Sequence, residues 1–307
     1  MEPSEAPSRI SVVIGARNQA PALRRCLAAL ERSAARERIE VIVVDRGSSD
    51  ESPQLDNEFP AVNLLRLPRD FGMVKALNIG MRTATGDFVF LLDPEMEVSP
   101  ETIPCLAEKL ETTPEAVAVC PLAVREDGTA ASGWRPLPSP QELYRAWRQG
   151  GFTDWRTSVT DGEAVAVEYV NRAPLLVRMT FLKGMRYIDE RYGEFGWDLE
   201  ICHQIRRAAK RILLLPGVRV LWRPEKPTNA SAPRRALLAA DHALGAALFV
   251  RKHYGWPEGL KFRVRAMLAG VADLFFALIG LHDVAPAFHK ARFLLSGQRL
   301  DGSQRFE

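Results

Sequence analysis

The chain has 307 residues, 47% apolar and 26% charged, a balance that excludes a disordered chain or a disulfide-stapled miniprotein and fits one large globular domain with or without an appendage. Its four cysteines (Cys26, Cys105, Cys120, Cys202) form no CxxC pair, which excludes a zinc ribbon and predicts buried thiols in a reducing compartment. The formal charge of +3 hides a split: residues 226–307 carry 12 Lys/Arg against 6 Asp/Glu, and the first 225 carry 29 against 32, so a mildly acidic body bears a basic tail.

Strand and helix signals alternate over the first 100 residues. Ile10–Ile14 is a short β-branched run of the kind that forms a buried parallel strand, and Ala22–Arg32 places Leu23, Cys26, Leu27 and Leu30 at helical spacing. Val41–Val44 is a second strand, closed by Asp45-Arg46-Gly47-Ser48, and Val62–Leu67 a third. Met73–Thr83 reads as a helix with Gly86 beyond its end; Phe88–Leu92 is a strand ended by Asp93-Pro94; helix Pro100–Glu111 and strand Ala116–Val119 follow. This alternation predicts βαβ units and an α/β, doubly wound, mostly parallel sheet. Residues 125–165 lose the rhythm and are rich in Gly, Pro and Trp, so they are expected to form an insertion or lid. Strands at Val165–Val170, Pro174–Val177, Ile212–Leu215 and Val218–Leu221 surround a helix at Leu199–Ala209, and the pattern turns helical after Arg223-Pro224. The expected organisation is a domain over residues 1–225 and a basic amphipathic helical tail over 226–307.

No GxGxxG follows the first strand and no GxxxxGK[ST] occurs, which argues against dehydrogenase and P-loop chemistry. The strand ends are acidic instead. Ligands of open α/β sheets bind beyond the carboxyl ends of the strands, where Asp45, Asp93 and Glu95 would gather. A divalent cation, or the hydroxyls and base N–H groups of a nucleotide, would offset their repulsion.

Three segments, VIVVDRGSSD, FGMVKALNIGMRTATGDFVFLLDPEMEV and DERYGEFGWDLEICHQIRR, resemble in content and order the family-2 inverting glycosyltransferases of the GT-A fold, and the resemblance covers about residues 9–223. It implies transfer of a sugar from a nucleotide-diphosphate donor to a glycan or lipid-linked acceptor by single displacement. It implies that Ala16, Arg17 and Asp45 hold base and ribose, that Lys75 lies along the nucleotide pocket, and that Asp93 and Glu95 occupy the DxD position that holds Mg²⁺ or Mn²⁺ on the diphosphate. Asp198 aligns with the catalytic base, at a helix N-terminus whose dipole favours its ionised form, with Glu200 in the same turn. The chain departs from the pattern at Glu95, where Asp is usual, at Trp197, where Glu is usual, and at Leu221-Trp222-Arg223, where many relatives place a His. Arg223 would put a fixed charge on the diphosphate. The stretch facing the sugar reads Asn171-Arg172-Ala173-Pro174. The departures leave two alternatives, a catalytically degenerate nucleotide- or sugar-binding scaffold in a polysaccharide assembly complex and, from the shared architecture, a sugar nucleotidyltransferase; Ile14-Gly15-Ala16-Arg17-Asn18 matches the loop of the latter poorly.

Plainer readings stand beside these. Asp45-x-Gly-Ser is ordinary turn chemistry, Asp93 and Glu95 fit a solvated loop, and Asp198 fits an N-cap region. Lys75 fits a solvated helix face; Trp134, Trp147 and Trp155 fit packing within the insertion, and His203 a structural role. In the tail, Leu260, Val264, Met267, Leu268, Val271, Leu274, Phe275 and Leu278 form a helical stripe, with Arg251, Lys252, Lys261, Arg263 and Arg265 at one end. Such a helix docks on an anionic membrane surface, or packs on the domain or on a second copy. The polar N-terminus predicts no signal peptide, and the longest apolar run, Ala266–Leu281, is broken by Asp273 and falls short of the ~18–20 residues of a membrane span. The expected location is therefore cytoplasmic, peripheral on the inner face of the plasma membrane, with no nucleic-acid partner.

Overall fold

A computed structural model describes residues 8–157, 162–171, 174–225, 232–280 and 284–297. Strand β1 (Ile10–Ala16) is buried along its whole length, as its apolar run requires, and helix α1 (Ala20–Glu31) follows it. Next come β2 (Ile39–Asp45), β3 (Val62–Arg66), α2 (Met73–Thr83) and β4 (Phe88–Leu91). Strand β5 (Met96–Val98), at three residues, is too short to carry a period, and α3 (Thr102–Glu111) and β6 (Ala116–Val124) complete the first half. Parallel ladders join β3, β2, β1 and β4, so Ala16 and Asp45 are register partners at one rim.

The arrhythmic segment contains β7 (Gly133–Arg135) and α4 (Pro140–Gln149). Helix α4 opens with a capping box: the Ser139 hydroxyl accepts from the Glu142 amide while the Glu142 carboxylate accepts from the Ser139 amide. Strands β8 (Val165–Val167), β9 (Tyr169–Asn171) and β10 (Leu175–Arg178) come next, then α5 (Met179–Gly184) and α6 (Trp197–Arg207). The two strand signals after α6 are one strand, β11 (Arg211–Trp222), irregular between Leu215 and Arg219.

The main sheet runs β3-β2-β1-β4-β10-β6-β11-β5, with β8 also on β11, and β7 pairs with β9 separately. Strands β10, β5 and β8 run against the other six, so the sheet is mostly parallel. Alternation along β1 sends Ile10, Val12 and Ile14 toward α1 and α3, and Val13 toward α2. Helix α2 lies close on the sheet because residue 80 is glycine: a Cβ there would fall on the Val13 side chain.

The tail is helical: α7 (Ala232–Tyr254), α8 (Trp256–Leu278) and α9 (Val284–Ser296). The expected boundary at 225/226 abuts residues outside the described set. Helix α7 is bound into the body: Phe249 and Val250 join the core under α6, and the Trp147 indole of α4 donates to the Ala239 carbonyl at 2.9 Å. Cys26, Cys120 and Cys202 are buried, but Cys105 is exposed, because its position on α3 faces away from the sheet; the expectation of four buried thiols is corrected there.

Candidate active site

The carboxyl ends of β1 and β4, the start of α6 and the end of β11 enclose a cleft of about 350 Å³. Its walls include Gly15, Met73, Asp93, Glu95, Val170, Trp197, Asp198 and Trp222. Asp198 also faces a second cleft of about 490 Å³, walled by Gly133, Phe152, Trp155, Phe195, His242 and Ala246. One carboxylate thus stands where two clefts meet, one beneath the sheet rim and one beneath the 130–157 segment and α7.

Asp198 occupies the first turn of α6, behind Gly196, whose φ of 91° only glycine adopts easily. Its Oδ2 accepts a 2.9 Å hydrogen bond from the Tyr169 hydroxyl of β9. Lost solvation pushes the Asp198 carboxyl above its ordinary range, while the Leu199 amide and the Tyr169 hydroxyl pull it down. A carboxylate raised in this way suits a general base near neutral pH. Burial and the Asp198 charge hold the Tyr169 hydroxyl well above its ordinary value, so it stays a donor.

Asp93 lines the cleft and is exposed to its solvent, with protein crowding the carboxyl from the cleft walls. Its Oδ1 accepts from the Glu95 amide at 2.8 Å. Its pKa is pushed up to about 6, first by lost solvation and then by the charges of Glu95 and Glu194, against the pull of the Glu95 amide. Negative charge here is under-compensated. Among the described residues no three His, Cys, Asp or Glu side chains are grouped to cage a metal. This set fits a hard cation held by one carboxylate, water and substrate phosphate, the usual arrangement for Mg²⁺ at phosphate sites.

Glu95 departs from the expectation of an open metal ligand. The Trp222 indole donates to its Oε2 at 3.2 Å and the Glu225 amide to its Oε1 at 3.0 Å, so its side chain ties β5 to the end of β11. The extra methylene of Glu over Asp supplies the reach.

Asp45 is buried at the end of β2. Its Oδ2 accepts from the Ser48 amide at 3.1 Å, and its buried Oδ1 has no hydrogen-bond partner. An orphaned buried acceptor beside Ala16 awaits a donor such as a base N–H or a ribose hydroxyl. Arg17 lies 3.5 Å from Asp70, and its buried Nε lacks a hydrogen-bond partner. Burial and the nearby Arg234 guanidinium lower its pKa, so an incoming anion would relieve the site.

Two expected binders lie elsewhere. Lys75 Nζ pairs with Glu190 at 2.8 Å and is absent from both cleft walls, because its phase on α2 turns it to the 190 loop; Met73, two residues earlier, meets the cleft. Arg223 pairs with Glu97 at 3.2 Å and Glu126 at 2.6 Å, which direct it away from the cleft. Glu200, expected beside the base, is turned away as well. It is buried and takes Tyr192, Gln204, Lys252 and His253 as donors, at 2.7–2.8 Å, which hold its carboxyl far below the ordinary range despite burial. Arg172 and Ala173 lie outside the described residues. His203 meets Phe249 edge-on and packs against the His253 ring at 3.7 Å, a structural position.

Tyr169 and the cluster of Arg46, Asp70 and Glu194 escaped sequence reasoning. Buried Arg46 bridges Asp70 and Glu194 at 2.9 and 2.6 Å, tying the end of β2 to the loop that leads into α6. Arg46 and Glu194 are 148 residues apart, and no local pattern couples them.

The sequence profile of glycosyl transferase family 2 matches residues 11–162. Residues 11–162 are a family-2 glycosyltransferase domain. Along 81% of its length the chain is 26% identical to N-acetylglucosaminyl-diphospho-decaprenol L-rhamnosyltransferase of Mycobacterium tuberculosis, covering 87% of that protein. A shorter match, 31% identical over 34% of each chain, is to undecaprenyl-phosphate 4-deoxy-4-formamido-L-arabinose transferase of Klebsiella pneumoniae. Among solved structures, GalNAc-T7 with UDP, GalNAc and Mn²⁺ superposes with a TM-score of 0.60 at 18% identity, over 96% of this chain and 56% of that one. That likeness places the transferase in the GT-A fold.

Proposed function

We propose that this glycosyltransferase moves a sugar from a nucleotide-diphosphate donor to a lipid-linked acceptor by a single inverting displacement, in bacterial cell-wall or surface polysaccharide assembly. The observation that carries the proposal is Asp198, a carboxylate of raised pKa shared by two clefts. The relatives named for decaprenol- and undecaprenyl-linked sugars support the acceptor class.

In this mechanism the donor lies over the rim, its nucleoside toward Ala16, Arg17 and the orphaned Asp45 Oδ1, and its diphosphate near Asp93. Asp198 takes the proton from the acceptor hydroxyl as that oxygen bonds to the anomeric carbon. The bond from that carbon to the diphosphate oxygen breaks on the opposite face, and its electrons leave with the nucleoside diphosphate. Tyr169 keeps Asp198 oriented and ionised. A Mg²⁺ or Mn²⁺ ion held by Asp93 and phosphate oxygens would supply charge neutralisation at the leaving group; GalNAc-T7 was solved with Mn²⁺. Glu95 and Trp222, joined by a hydrogen bond, form part of that cleft wall.

The test is a panel of nucleotide-sugar donors, with binding and transfer measured on the wild type and Asp198→Asn. Retained donor binding with transfer reduced by about 10²–10⁴-fold is expected. Unchanged turnover would overturn the role of Asp198, and binding without turnover by the wild type across the panel would favour the scaffold.

A further inference from the structure

Among the described residues, every large apolar side chain that stands exposed lies between Tyr254 and Leu295. The body has none, so the patch is a property of the last helices and not of the surface in general. Helix α8 is built the reverse of an ordinary surface helix. Its inward face carries Gly259, Phe262, Ala266, Gly270 and Ala277, mostly small residues. Gly259 lets it cross α7 closely: a Cβ there would come within 2.6 Å of the Arg251 Cα. Its outward face carries Leu260, Val264, Leu268, Val271, Phe275 and Leu278, exposed by 39–65%. At 100° per residue these six fall within an arc of about 80°. Phe288 and Leu295 of α9 are exposed on the same part of the chain.

Cations border this ridge. On the helical wheel Lys261 falls just beyond one edge of this six-residue arc, between it and the exposed Phe276, and Arg263 falls beyond the other edge, next to the exposed Trp256. Arg251, Arg263 and Arg292 have no carboxylate partner among the described residues, and the acids of α8 are already engaged, Glu258 with Lys261 and Asp273 with Arg148 and Lys290. At the N-terminal end of the ridge the 190–193 loop, α7 and α8 enclose a groove of about 560 Å³. Its walls include the unpaired Arg251 and Arg263, with Arg191 held by Asp189 at 2.7 Å, beside Trp256 and Leu260.

We propose that the outward face of α8, with the exposed side chains of α9, rests on an anionic bilayer: the apolar ridge enters the headgroup–acyl boundary, and the arginines of the groove meet lipid phosphates. Charge decides between this occupant and a second copy of the chain. A two-fold pair built on the ridge would set the same unpaired arginines against one another, whereas anionic headgroups neutralise them. No helix among the described residues is long and apolar enough to cross a membrane, so the contact lies in the plane of the surface. The groove shares the 189–196 loop with the active site, since Glu190–Gly193 line the groove and the same loop leads to Asp198. The bilayer would therefore sit beside the catalytic clefts. This inference does not depend on the transfer chemistry.

The experiment is co-sedimentation of the full chain with phosphatidylcholine vesicles, with and without phosphatidylglycerol, at low and high salt. Binding to the anionic vesicles that weakens in salt is expected. Leu268→Glu with Phe275→Glu should weaken it by at least about tenfold, and Arg251→Gln with Arg263→Gln by roughly fivefold per cation removed. All four side chains lie on exposed positions, so melting curves should match the wild type and separate lost docking from lost folding. No anionic-vesicle binding by the wild type, or equal binding by the Glu variant, would overturn the proposal. So would a wild-type dimer that ignores vesicles and dissociates in the Glu variant, which would assign the ridge to a second copy.

Discussion

Tyr169→Phe isolates what the hydroxyl does for the base. The substitution keeps the ring, which packs at 5.4 Å from Trp155 and 6.2 Å from Phe152, and removes only the 2.9 Å hydrogen bond to Asp198 Oδ2. That bond stabilises the ionised carboxylate, so its loss raises a pKa that burial has already raised. A hydrogen bond to a charged group contributes about 1.5–3 kcal/mol. At about 1.4 kcal/mol per pH unit, the Asp198 pKa should climb by about one to two units. A base must be unprotonated, so the acid limb of kcat/KM should shift upward by that amount. Above the new limb the rate should return to within a few-fold of wild type. Asp93, also raised, is common to both proteins, so the difference between the profiles belongs to Asp198. The assay is the pH profile of kcat/KM for wild type and variant at saturating metal. A limb that does not move, or an equal loss at every pH, would refute the reasoning.

Asp93→Asn should abolish transfer yet raise the melting temperature of the metal-free protein at neutral pH. The folded pKa of about 6 lies above the unfolded carboxylate, so the cost of the charge enters as pH rises through about 4 to 6 and is absent below; Mn²⁺ should raise the wild-type melting temperature and leave the variant unmoved, and a variant no more stable than wild type at neutral pH would contradict this. Glu200→Gln weakens a buried carboxylate with four donors and should cost about 3–5 kcal/mol at neutral pH. Because its folded pKa is depressed, that contribution is present above the unfolded carboxylate range and is lost as pH falls below it, so denaturation curves of variant and wild type should converge on acidification; a constant gap would speak against it.

Much of the site was legible because its chemistry sits at strand ends. Asp45, Asp93 and Asp198 each adjoin an apolar run or a helix start, and the doubly wound sheet gathers such positions on one rim. Phase was harder. Lys75 and Met73 are two residues apart on α2, and only the exact setting of that helix on the sheet decides which one meets the cleft. Glu95 was placed in the right wall but not with the right partners, since Trp222 lies 127 residues away. Tyr169 sits in a three-residue strand whose pairing with β7 has no local signal. Helix α4 was readable from Ser139 and Glu142, yet the surrounding Gly and Pro residues masked its box. The stripe on α8 was visible as a period of 3.6 residues, but periodicity reports that a face exists and not whether protein covers it.

Glu200 has a consequence for how the molecule can be assembled. Its donors come from the loop before α6, from α6 itself and from the far end of α7, more than 50 residues downstream. During synthesis helix α6 is complete while Lys252 and His253 have yet to emerge, and until they do the Glu200 carboxylate is an anion without its cation. Helix α6 therefore gains its full set of Glu200 donors only after the chain has passed residue 253. The late helices are a condition for the site's closing as well as an appendage to it, and the body cannot be cut before α7 without uncovering that charge.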